Sequence, residues 1–228
     1  AIENAEVIAG YNTYIKLIET LLGEKKVIGT AMMQEIDRCK MAVAEAVSGH
    51  DTVVVSSGDA GVYGMAGLVL ELVLQQPEES RPEFGGVIAG VSAVNAAAAV
   101  LGAPLMHDFA VISLSDLLTP WETIEKRIEM AAQGDFVTAL YNPKSKKRVE
   151  NIERVREIML KHRKADTPVG IVTAASREGE GKIISTLEDF TKQEINMFSL
   201  VIIGNSMTYV KDGYMITPRG YGNKEPGL

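Results

Sequence analysis

The run SSGDAG at residues 56–61 sets small polar residues among glycines, directly after the apolar triplet 53–55 and ahead of a second apolar stretch. Glycine permits tight turns and lets a backbone approach a ligand where a Cβ would collide. Ser57 and Asp59 can hold turn amides or polar ligand atoms. The run therefore fits a ligand loop built on Ser57, Gly58 and Asp59, or a plain turn that Asp59 caps. A second corner of this kind, VIAGVSAVNA at 87–96, places Gly90, Val91 and Ser92 before an alanine-rich stretch. Neither is a G-x-G-x-x-G turn or a lysine-ended phosphate loop, which disfavours dinucleotide and nucleoside-triphosphate sites. Two such corners can lie side by side on one sheet edge and share a pocket.

Three further stretches carry polar chemistry. In ALYNPKSKKR, 139–148, Pro143 ends a strand and presents Asn142 with the backbone groups of Leu140 and Tyr141. Lys144, Lys146, Lys147 and Arg148 follow, and between residues 141 and 164 nine basic residues face three acidic ones. Such a face attracts a ligand bearing several carboxylates or phosphates, or is the solvated side of an amphipathic helix. Arg148 has the fork that holds a carboxylate bidentately. His107 precedes Asp108 and can exchange a proton near neutral pH, although neighbours in a strand point to opposite faces. Gly204 and Asn205 in IIGNS end a strand, where amide groups bind an adenine or a carboxylate, or close an Asx turn. His50, His107 and His162 stand far apart and form no metal motif, so no metal site is expected.

The elements that must position these residues alternate. Strands are expected at 7–9, 27–28, 52–55 and 87–89, the triplet 53–55 being buried on both faces, with helices at 13–22, 34–48, 63–74 and 92–101. Ala93–Val100 is small enough to pack unusually close to a neighbour. Gly102-Ala103-Pro104 punctuates the chain, so a boundary is expected between residues 1–105 and 106–228. Beyond it, helices near 123–132 and 149–160 precede several late strands, which suggests a mixed sheet after a mostly parallel one. The class is α/β. A net charge of −7 argues against a nucleic-acid partner, and no apolar run reaches the length of a membrane span. Cys39, the lone cysteine, suits a helix packing position and a reducing cytoplasm.

Taken together, VIAGYNTY at 7–14, SSGDAGVYGMAGL at 56–68, AGVSAVNAAAAVLGAPLMHDFAVISLSD at 89–116, ALYNPKSKKR and IIGNS resemble the tetrapyrrole (corrin and porphyrin) methylases, nearest their precorrin-3B or cobalt-factor III carbon-17 branch. The resemblance implies two α/β domains with a ligand cleft between them, a homodimer, and methyl transfer from S-adenosylmethionine to carbon 17 of a polycarboxylate tetrapyrrole, with or without cobalt, coupled to ring contraction. It assigns Ser57, Gly58, Asp59, Gly90, Val91, Ser92, Leu140, Tyr141, Asn142, Gly204 and Asn205 to the methyl donor. Lys144, Lys147 and Arg148 go to substrate carboxylates, and Asp59 or His107 to proton management. A methylase acting elsewhere on a corrin precursor, a protein-methylating branch of the same fold and a noncatalytic tetrapyrrole carrier are the alternatives. The family's opening strand and GxGPGD-type loop have no counterpart here, and AIENAEVIAG opens in mid-pattern, so roughly the first twenty residues of the family pattern are expected to be absent.

Overall fold

The computed structural model describes residues 1–145, 148–221 and 224; Lys147 lies outside them. Packing divides the chain into two compact units, Ala1–Ser92 and Ala93–Leu228.

In the first unit β1 (Val7–Tyr11) lies between β2 (Lys26–Thr30) and β3 (Thr52–Val55), all parallel. Val7, Ile8 and Ala9 of the central strand are buried. Gly10 is required there, because a Cβ would stand 2.5 Å from a Val55 methyl. After β1 comes the short α1 (Asn12–Leu17). α2 (Glu35–Val47) turns Arg38, Cys39, Ala42 and Val43 inward at helical spacing. Burial pushes the Cys39 thiol above its ordinary range, as expected of a packing residue.

Several expectations fail in this unit, and α1 ends at Leu17 rather than at 22. The four residues of β3 are half-buried rather than covered on both faces, because β3 is an edge of the three-stranded sheet. Residues 87–89 form no strand: they pair with no ladder, and Val87 and Ile88 are exposed. Apolar character alone makes no strand without a hydrogen-bonding partner. α3 (Ala66–Leu74) also starts later than residue 63, since Tyr63 takes a φ of 54° that breaks a helix.

The second unit begins with α4 (Ala93–Leu101), then β4 (Gly102–Ala103), β5 (Phe109–Ser113), α5 (Trp121–Gln133), β6 (Val137–Tyr141), α6 (Asn151–Leu160), β7 (Pro168–Thr173), β8 (Gly181–Thr186) and β9 (Ser199–Ile203). β10 (Tyr209–Lys211) and β11 (Tyr214–Ile216) join β4 in a small separate sheet. The main sheet has the order β5-β6-β9-β7-β8; among adjacent strands only β5 and β6 pair in parallel, giving the mixed sheet expected from the late strands.

Both faces of this sheet are covered, and its side chains alternate between them. Leu140, Val201 and Ile203 meet Ile124, Ile128, Ile152 and Met159 of α5 and α6. Ala139, Leu200 and Ile202 meet Val94, Ala97 and Leu101 of α4. α4 therefore belongs to the second unit, and the break in packing falls at Ser92–Ala93, upstream of the punctuation at 102–104.

At Gly170 in β7 a Cβ would lie 2.4 Å from a methyl of the fully buried Leu101, the last residue of α4. Gly170→Ala should destabilise the protein by about 1–3 kcal/mol through overpacking, read as a lower urea midpoint at unchanged slope. Adding Leu101→Ala should cost less than the sum of the two single changes, because the second removes the atoms that the first strikes.

Candidate functional site

The corner after β3 is held by one carboxylate. Asp59 Oδ1 accepts the Gly61 amide at 2.8 Å and Oδ2 accepts the Gly90 amide at 3.0 Å. The two glycine-bearing corners therefore lie side by side, as their spacing suggested. A Cβ on Gly90 would stand 2.1 Å from the Gly58 carbonyl oxygen, and Gly58 itself takes a φ of 73°, so neither position accepts another residue without rearrangement. The amides of Gly90 and then Gly61 hold the Asp59 carboxyl below its ordinary range. With both oxygens engaged by amides, Asp59 acts as a clamp between the two loops. Beside it Val91 is exposed and Ser92 is buried.

In the second unit the carboxyl ends of β5, β6 and β7 share one edge with the start of β9. Asn142, at a left-handed φ of 50°, donates through Nδ2 to Ser113 Oγ at 3.0 Å. The Arg148 guanidinium donates to the Asn142 carbonyl at 3.1 Å and reaches Asp116 at 3.5 Å. Tyr141 Oη accepts the Val94 amide at 3.0 Å, tying β6 to the first turn of α4. The hydroxyls of Thr173 and Ser199 meet at 2.8 Å. Leu140 points into the core and can offer a ligand only its backbone. The edge is thus rich in hydroxyl and amide groups on rigid strand ends. Ser113, Asp116, Thr173 and Ser199 were not singled out from sequence; for the three hydroxyls, their place as the last or first residue of a strand was the signal available.

Other candidates lie elsewhere. β9 runs antiparallel to β6, with Ile203 opposite Thr138 and Val201 opposite Leu140. Asn142 and Gly204 are therefore five positions apart along the sheet, about 16 Å at the usual strand rise. Gly204 and Asn205 close a turn: Asn205 Oδ1 accepts the Met207 amide at 3.0 Å and the Thr208 hydroxyl at 3.1 Å, and the Asn205 amide donates to Thr208 Oγ1 at 2.8 Å. The Asx-turn reading of IIGNS holds, and this pair does not join Tyr141 and Asn142. A cavity of about 700 Å³ opens at that far end, lined by Arg163, Lys164, Thr186, Ser206 and Tyr209 among others.

His107 also stands away from Asn142, ahead of the amino end of β5, where its Nδ1 accepts the Asp108 amide at 3.0 Å. Lys144 is half-buried. The Arg148 side chain is only 14% exposed; its two Nη groups pin the loop, while its buried Nε has no hydrogen-bond partner among the described residues. Among the described residues no cluster of three His, Cys, Asp or Glu side chains could hold a metal ion.

Comparison with known proteins adds a second line of support. Residues 1–191 match the family model of the tetrapyrrole (corrin/porphyrin) methylases. The chain is 51% identical over 221 residues to a probable cobalt-factor III C(17)-methyltransferase of Salmonella typhimurium, covering 97% of this chain and 90% of that protein. It is 50% identical over 226 residues to the cobalt-factor III methyltransferase of Priestia megaterium, covering 98% of this chain but 42% of that longer relative. A precorrin-3B C(17)-methyltransferase of a Sinorhizobium species is 36% identical over 226 residues, with 97% and 89% covered. Among solved structures, the methyltransferase CobJ superposes with a TM-score of 0.87 at 36% identity over 94% of this chain and 89% of that one. A uroporphyrin-III C-methyl transferase from Thermus thermophilus, complexed with S-adenyl homocysteine, shares the fold with a TM-score of 0.66 at 20% identity, covering 89% and 87%.

Because the folded state lowers the Asp59 pKa, the stability this carboxylate contributes is present above the ordinary aspartate value of 3.8 and is lost as pH falls through the lowered folded value. Asp59→Asn, which can offer only one acceptor oxygen, should speed hydrogen exchange at the Gly90 amide at pH 7. The stability gap between variant and wild type should close below pH 4. Unchanged Gly90 exchange would remove the clamp.

Proposed function

The chain belongs to the tetrapyrrole (corrin/porphyrin) methylase family, and from that premise we propose that it methylates carbon 17 of cobalt-factor III in cobalamin biosynthesis, with S-adenosylmethionine as donor. The observation that carries the reading is its near-complete alignment with the Salmonella protein of that name. Lower identity to the precorrin-3B enzyme supports the cobalt-bearing substrate over the metal-free one. Against the longer Priestia relative the chain accounts for under half the length, so the proposal concerns the activity of this portion. The homodimer and the cytoplasmic setting implied by the resemblance belong to the same proposal.

The residues fit such a donor. Gly90 lets its corner lie directly against the Gly58 carbonyl, where a Cβ would collide, the Asn142 side chain and carbonyl are held by Ser113 and Arg148, and the Tyr141 hydroxyl is held by the Val94 amide. The donor supplies an electrophilic methyl on a sulfonium that leaves as a neutral thioether. The macrocycle supplies the electron pair for the new carbon–carbon bond, so the protein needs no nucleophile of its own and its main task is alignment. We assign Ser57, Gly58, Gly90, Val91, Ser92 and the backbone of Leu140–Asn142 to the donor, with Asp59 holding two loops of that set together. Lys144 remains the candidate for a substrate carboxylate. Arg148, and the turn at Gly204 and Asn205, take positioning roles.

Supplied with S-adenosylmethionine carrying a labelled methyl, the full-length protein should label cobalt-factor III at carbon 17, and do so faster than precorrin-3B. Label at another carbon, or on neither macrocycle, defeats the proposal. Asn142→Ala should raise the KM for the donor roughly tenfold, the effect of losing a positioned hydrogen-bonding group. Ser206→Ala at the far end should leave that KM within about twofold and cost about 1 kcal/mol of stability.

A further inference from the structure

Three arginines are largely withdrawn from water, and their acceptors differ. Arg163, 8% exposed, donates to the carbonyls of Gly204, Ala131 and Phe136. Arg148 donates to a carbonyl and reaches the Asp116 carboxylate. Arg38, at 2% exposure the most deeply buried of the three, has neither. Its Nη1 donates to the Thr30 hydroxyl at 2.5 Å, and both Nε and Nη2 point at a single atom, the Met65 sulfur, at 3.2 and 3.1 Å. Among the described residues no carboxylate lies within 4 Å of this guanidinium. Glu35 and Asp37 on the same helix are exposed, and Glu35 accepts the Met33 amide.

A thioether is a weak acceptor, and a guanidinium is always charged. A cation withdrawn from water calls for an anionic or strongly polar partner. The Nε/Nη2 edge is the face on which arginine takes a carboxylate bidentately, and here both donors already converge on one acceptor. Met65 is unbranched between sulfur and backbone and readily adopts another rotamer. The position is also suggestive. β1, β2 and β3 are parallel, so their carboxyl ends face one way, and Thr30, the first turns of α2 and the Asp59 corner all lie at that end. Ligands of parallel α/β units bind outside the carboxyl ends of the strands.

We propose that the Nε/Nη2 edge of Arg38 is a carboxylate receptor, that the Met65 thioether occupies it until a carboxylate displaces the sulfur, and that this carboxylate is an acidic side chain of the tetrapyrrole substrate. The receptor stands on the geometry alone; naming the substrate as its source rests on the methyltransferase reading. Arg38 would then fix the orientation of the macrocycle by one of its peripheral groups.

Full-length protein labelled with ¹³C-methyl methionine provides the test, the Met65 signal being assigned through Met65→Leu. Succinate, added at constant ionic strength against chloride, should move the Met65 signal saturably, and cobalt-factor III should move it further while its peripheral methyl ester does not. Arg38→Met should weaken cobalt-factor III at least tenfold and leave S-adenosylmethionine binding within twofold, with Arg38→Lys intermediate. A Met65 signal that neither succinate nor cobalt-factor III moves in the wild type overturns the receptor, without recourse to a variant that has to fold. Movement with succinate but not with cobalt-factor III overturns the substrate assignment, as does an Arg38→Met protein that melts lower yet binds the macrocycle normally. Movement with cobalt-factor III in a protein that transfers no methyl group supports the receptor and counts against the methyltransferase reading.

Discussion

The reversal of β9 between β6 and β7 sorts every loop of the second unit to one end of the sheet or the other. All five residues of β9 are buried, with Val201 and Ile203 against one helical layer and Leu200 and Ile202 against the other. A slip of one residue would exchange both sets at once, so the register is strongly specified. The Thr173–Ser199 hydroxyl pair marks one end of the register, and the Gly204 amide bonded to the Pro168 carbonyl at 2.8 Å marks the other. Which polar groups can act together in this unit follows from that single strand direction.

The first unit solves a different problem, that of bringing two loops far apart in sequence within backbone contact distance. Asp59 does this with two amides, and the absence of a Cβ at Gly90 makes the approach sterically possible. A carboxylate held ionised in this way serves as a fixed hydrogen-bond acceptor. That suits a reaction whose barrier is lowered mainly by alignment, since a sulfonium donor needs no proton transfer to leave.

Arginine is used in the same spirit in the second unit. Arg163 sits beyond the last turn of α5 and gathers carbonyl oxygens there; burial lowers its pKa, and nearby Asp135 partly opposes the shift. Arg148 ties the loop after β6 to the loop after β5 through Asn142 and Asp116. The basic run from 144 to 148 looked from sequence like a surface for anions, yet at least this member of it works inward.

Much of the framework was legible from residue types. Apolar spacing located α2, β3, α5, β6, α6, β7 and β9 to within a few residues, because side-chain periodicity is a local property. The run SSGDAG and the glycine at residue 90 announced a close pair of corners, since only glycine permits such an approach. What the chain's letters did not disclose were facts of partnership. Residues 87–89 have strand-like side chains and no ladder, β3 is half-covered, and α4 packs with the unit that follows the glycine-proline punctuation, although the boundary was expected at that punctuation. Tyr141–Asn142 and Gly204–Asn205 read alike, as polar residues ending strands, and lie at opposite ends of one sheet. Residue types by themselves determined where most of the strands and helices fall and where the backbone can turn. Strand direction, neighbours and burial were decided only by the tertiary structure, because each depends on a partner supplied by a distant part of the chain.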